Sequence, residues 1–119
     1  MTVRRVEKPW GHELIWAETD RYVGKVLHIN AGQQLSLQYH EKKDETIHLW
    51  SGRMRLVYDE GNGFVERELA AGESFRIKPF VKHRMVAITD CDVLEASTPE
   101  LDDVVRLEDA YGRVPPGEK

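Results

Sequence analysis

Residues 53–69 read Arg53-Met54-Arg55-Leu56-Val57-Tyr58, then Asp59-Glu60-Gly61-Asn62-Gly63, then Phe64-Val65-Glu66-Arg67-Glu68-Leu69. The first run alternates basic and apolar side chains, the period of a strand with one buried face. Two glycines around an asparagine supply the backbone freedom of a hairpin turn, and the third run returns from it. The same pattern continues on both sides. Residues 23–29 are largely β-branched and apolar and stop at Asn30-Ala31-Gly32. Residues 35–39 alternate, with Leu35, Leu37 and Tyr39 on one face and Ser36, Gln38 and His40 on the other. Residues 46–50, 74–77, 83–88 and 92–96 complete about eight strands at spacings of roughly 8–12 residues, which predicts an all-β sandwich or barrel.

The ends differ. Pro9-Trp10-Gly11-His12 reads as an ordered turn within an N-terminal arm or strand, residues 1–20. Residues 21–98 form the barrel. Thr98-Pro99-Glu100 resembles a helix start, with Thr98 as cap and Pro99 in the first turn. Leu101, Val104, Val105 and Glu108 follow at helical spacing, so one short C-terminal helix and a return segment are expected over 99–113. Residues 114–119, Val-Pro-Pro-Gly-Glu-Lys, read as a frayed tail.

Composition sets the outer bounds. The chain has 119 residues, room for a single domain and one core. Its single cysteine, Cys91, excludes an internal disulfide framework and a zinc site built from cysteines. A net charge of −4 argues against a non-specific nucleic-acid partner. No apolar run approaches the ~18 residues of a membrane span. The N-terminus shows no secretory hydrophobic region, so a cytoplasmic protein is expected.

Gln38, His40, Glu45 and His83 stand out chemically. Gln38 and His40 share a strand face, Glu45 follows the charged turn 41–44, and His83 opens a later strand. Two imidazoles, a carboxylate and an amide oxygen suit zinc, and equally manganese, iron, cobalt or nickel. Taken singly, each is an ordinary surface or supporting residue. His48 has strand parity opposite to Glu45 and should point away.

Two spacings carry a resemblance. Gly32-x5-Gln38-x-His40-x4-Glu45-x6-Gly52 resembles the first cupin motif, in which the Gln38 position is commonly histidine. Gly72-x5-Lys78-Pro79-Phe80-x2-His83 is similar to the second. Glu7-Lys8-Pro9-Trp10-Gly11, residues 35–40, residues 81–84 and residues 105–113 look like the type II phosphomannose isomerase domain. The resemblance implies a double-stranded β-helix, a jelly-roll-like barrel, with one divalent metal, zinc first, on Gln38, His40, Glu45 and His83. In that family the domain usually follows a guanylyltransferase domain, so no nucleotide-sugar chemistry is expected of this chain. Phe80 stands where the family usually has glycine, which implies a different backbone or a bulky wall at the pocket mouth.

The implied activity is a metal-dependent aldose–ketose isomerisation of a sugar or sugar phosphate. It needs a Lewis acid and a proton carrier. Lys78, on the turn before His83, and Lys8 and Arg113, in the family-like flanks, are the candidate catalytic residues. Arg76, Lys78, Lys82, Arg84 and Arg113 are available for a phosphate. A non-catalytic sugar-binding module and an oxygen-using metal enzyme are the alternatives. Val3, Val6, Leu14, Ile15 and Trp16 form an apolar segment that would add a strand to a neighbour, so a homodimer is expected.

Overall fold

A computed structural model describes residues 2–113. The strands are β1 (Arg4–Lys8), β2 (Gly11–Glu18), β3 (Val23–Ile29), β4 (Leu37–Tyr39), β5 (Glu45–Ser51), β6 (Met54–Asp59), β7 (Phe64–Leu69), β8 (Ser74–Ile77), β9 (Lys82–Ala87), β10 (Cys91–Ser97) and β11 (Val105–Glu108). They form two antiparallel sheets, in the orders β1-β2-β3-β10-β5-β8 and β11-β4-β9-β6-β7. The hairpin read from residues 53–69 is β6–β7, in register from Met54↔Leu69 to Asp59↔Phe64.

Alternation builds the core. Ile47 and Leu49 of β5, Leu56 of β6, Leu69 of β7, Ile77 of β8 and Val93 of β10 are fully buried between the sheets. Each such side chain contributes roughly 1.5–3 kcal/mol relative to exposure. The opposite faces carry Trp16, His48 and Trp50; His48 packs on Trp50 and bonds Ser74, away from Glu45.

The N-terminal segment forms the β1–β2 hairpin, which extends its sheet through β3 with β1 at the edge. The C-terminal end departs from expectation. The expected C-terminal helix is not formed; among the described residues there is no helix. Thr98 does not cap a helix. Its hydroxyl accepts the Asp44 N–H at 3.0 Å, and its own N–H returns to the Asp44 carbonyl at 3.0 Å. The Asp103 carboxylate accepts the N–H groups of Glu41, Lys42 and Lys43. Val105 and Leu107, β-branched or apolar around Arg106, then pair as β11 with β4. The tail 114–119 lies outside the described residues. No helix of the described residues is long and apolar enough to cross a membrane.

Two glycines at nearly equal φ separate backbone strain from crowding. Gly52 sits at φ +97 with a would-be Cβ 2.2 Å from the Asp90 carbonyl, whereas Gly72 sits at φ +94 in open space. Gly72→Ala should cost about 1–2 kcal/mol, the left-handed penalty alone. Gly52→Ala should cost distinctly more, read as a larger drop in the urea midpoint.

Candidate metal centre and adjoining cavity

His40 lies just past β4, Glu45 opens β5 and His83 lies on β9, so three separate segments deliver the cluster. Gln38 is the cross-strand partner of His83. The loop between His40 and Glu45 is held by Asp103, whose carboxyl lies below the usual range: burial opposes this, but three backbone N–H donors outweigh it.

The imidazoles are oriented by backbone. His40 Nδ1–H donates to the Asp103 carbonyl and His83 Nδ1–H to the Val81 carbonyl, at 2.8 Å for His83. A carbonyl only accepts, so each Nδ1 carries a proton and each ring turns its Nε2 inward. Both Nε2 atoms face one oxygen, Glu45 Oε1, at 3.0 Å from His40 and 3.3 Å from His83. His40 and Glu45 are each 3% exposed and His83 1%. A carboxylate enclosed with two imidazoles in a dry site needs positive charge between them, as protons or a cation. His83 Nε2 has no hydrogen-bond partner. The donor set fits a divalent ion, and backbone-anchored histidines are how such ligands are held. Burial pushes the Glu45 carboxyl up, but contacts with His40 and His83 and the Lys43 charge hold it well below the ordinary value.

A cavity of about 380 Å³ opens beside His40; Lys8, Trp10, Gln38, Arg106 and Arg113 line it with His40. Gln38 Oε1 accepts the Ser36 hydroxyl at 2.6 Å. Burial lowers Lys8, with Lys25, Arg113 and Arg106 adding to the effect and Glu13 opposing it. Arg106 is lowered by burial and then by Arg113, and its Nε is buried without a partner. Arg113 forks onto Asp109, with Nε at 2.8 Å and Nη2 at 3.2 Å, and its guanidinium lies over the Tyr111 ring.

Of the expected proton carriers, Lys8 and Arg113 therefore reach this cavity. Lys78 does not: it is exposed, and its charge acts on Asp44. Arg76 pairs with Asp44 at 2.6 Å, Lys82 is exposed, and Arg84 donates to the Leu35 carbonyl. Arg106 escaped the sequence reading because a helix was assigned where β11 forms; the alternation Val105-Arg106-Leu107 was the available signal. Phe80 keeps the left-handed backbone of a glycine, φ +69, and its N–H donates to the His40 carbonyl at 2.7 Å. Its ring is 63% exposed, stacks on Tyr39 and walls an open depression shared with Leu101 and Asp102.

A metal-free sample titrated with zinc should bind one equivalent, and His83→Ala should weaken binding at least 100-fold in calorimetry. Affinity should fall on acidification, because the ion displaces protons from its ligands. Asp109 offers a separate pH test. Burial opposes ionisation there, but its bonds with Arg113 hold the carboxyl below its ordinary value. Its contribution is complete above that value and lost as pH falls through the folded one. The stability gap between the natural protein and Asp109→Asn should be constant near neutrality and shrink below about pH 4 in urea melts.

A cupin-domain family model matches residues 25–96. The chain is 33% identical over 116 residues to the mannose-1-phosphate guanylyltransferase ManC of Salmonella typhimurium and 31% to the Escherichia coli enzyme. These alignments take in 93% of this chain but only 23% of each relative. KdgF from Halomonas sp. superposes with a TM-score of 0.72 at 20% identity, covering 86% of this chain and 89% of that one. The capsular polysaccharide assembling protein CapF of Staphylococcus aureus superposes with a TM-score of 0.73 at 18% identity, covering 91% and 33%. At these identities the structural likeness is one of fold. The matched span holds the clustered His40, Glu45 and His83, and the chain belongs to the cupin domain family.

Proposed function

We propose that this cupin is a metal-dependent aldose–ketose isomerase of sugar phosphates. The observation that carries the reading is the junction of two features: an inward-facing His40–Glu45–His83 set and a cavity walled by Lys8, Arg106 and Arg113. His40, Glu45 and His83 would hold the ion, with Gln38 as a fourth donor beside His40. When bound, a divalent ion of this kind, zinc first and manganese, iron, cobalt or nickel also compatible, polarises carbonyl and hydroxyl oxygens.

The chain's own residues divide the remaining work. Arg106 and Arg113 present guanidinium groups to a phosphate, which accepts two parallel N–H bonds from such a fork. Asp109 takes the Nε and Nη2 edge of Arg113, so Arg113 would meet a phosphate through its remaining N–H groups. Lys8 is the proton carrier. Burial eases proton release from its ammonium; in the amine form it would take the C2 proton and deliver a proton to C1, while the O2 hydroxyl proton passes to O1. The name shared by the guanylyltransferase relatives contains a phosphorylated mannose, which supports a sugar phosphate as the first substrate class to try.

A non-catalytic sugar-binding module is the second reading. It is favoured by the pairing of Glu13 with Lys25 and of Glu18 with Arg4, which engages two of the cavity's three carboxylates in ion pairs. Incubation of the zinc-loaded protein with mannose 6-phosphate and a panel of other aldose phosphates, in deuterated water, separates the two. Interconversion with deuterium at C2 of the aldose is expected. Lys8→Met should then lower kcat roughly 10²–10⁴-fold. Arg113→Met should raise KM for the phosphorylated sugar and leave a non-phosphorylated analogue unaffected. Binding without turnover across the panel would decide for the module.

A further inference from the structure

Glu45 has two oxygens, and they face different partners. Oε1 is the atom shared by the two imidazoles, whereas Oε2 lies 3.4 Å from Lys43 Nζ. The same ammonium lies 3.1 Å from Glu95 Oε2. Lys43 and Glu95 are each 5% exposed, a rare fate for either residue type. Burial of a lysine beside a cation site is costly unless something fixes and neutralises it. Here geometry fixes it: the Lys43 backbone N–H is held by Asp103 at 2.9 Å, and its ammonium lies between Glu45 and Glu95, whose own carboxyl is pushed up to about 8 by burial and by Glu45. Behind Glu95 stands Lys25, its cross-strand partner on β3, which is itself paired with Glu13 at 3.4 Å. Buried acidic and basic side chains thus alternate from the cavity wall to the cluster: Glu13, Lys25, Glu95, Lys43, Glu45.

We infer that Lys43, held by Glu95, is a positioning residue that occupies Glu45 Oε2 and restricts Glu45 to ligation through Oε1. The inference rests on the metal-centre reading. Restriction to one oxygen keeps a coordination position available for a substrate oxygen, where a carboxylate bound through both oxygens would fill it. Glu95 holds the Lys43 ammonium against Glu45. Neither residue touches the ion or the substrate.

The test uses cobalt(II) as the probe, because its visible absorption is intense at four or five ligands and weak at six. The natural protein should bind one cobalt with an intense band. Lys43→Met frees Oε2, so the band should weaken and shift. Lys43→Arg, which retains the charge, should restore the spectrum in part. Glu95→Gln keeps its shape but replaces the carboxyl that holds the Lys43 ammonium with an amide, and should lower cobalt affinity roughly 10–100-fold. This second variant stands in if Lys43→Met fails to fold. An unchanged band in a folded Lys43→Met protein, or unchanged affinity in Glu95→Gln, would overturn the inference and leave the metal centre standing. No cobalt binding by the natural protein would instead overturn the metal-centre reading.

Discussion

One carboxylate organises the functional end of this molecule. Glu45 opens β5 between Ile77 of β8 and Ser97 of β10, so its backbone is fixed by pairing on both sides. Its side chain is enclosed, with two imidazole Nε2 atoms before it and a buried ammonium behind it. Such a group is costly to bury alone, and every element around it answers that cost. Asp103 orders the 41–44 loop that brings Lys43 inward, and its carbonyl orients His40. The Lys78-Pro79-Phe80 turn returns the chain to His83, with Phe80 held in a conformation that glycine adopts more easily. Strain of this kind persists only where the surroundings enforce it.

The cavity follows from the same arrangement. β11 pairs with β4, placing Arg106 opposite Gln38. The β1–β2 hairpin closes the other wall, turning Arg4, Val6 and Lys8 inward. Positive side chains therefore gather beside the cluster, and two of them, Lys8 and Arg106, are disfavoured as cations by burial and by their neighbours. An anionic ligand relieves that repulsion, which links the electrostatics of the wall to the substrate class proposed for the site.

Strand content was legible because alternation and glycine turns are local signals: β3 falls on residues 23–29 as read, and the β6–β7 hairpin likewise. His40, Glu45 and His83 were legible mainly because their spacing resembles the cupin motifs; strand parity alone left each an ordinary surface or supporting residue. The C-terminal segment was not. Val104, Val105 and Leu107 satisfy both a helical and a strand period, and the contacts that decide between them span about 60 residues, from Asp103 to the 41–43 loop. Lys43 and Glu95 look like solvated charges in sequence; their burial appears only when β10 is laid beside β5. Lys78 was misplaced for the converse reason. Its neighbourhood in sequence is His83, whereas its neighbourhood in space is Asp44.

X-ray absorption at the zinc edge of the loaded protein tests the centre most directly. The account predicts a nitrogen- and oxygen-only shell with the outer scattering of two imidazoles. A sulfur neighbour, or a shell without imidazole, would contradict it.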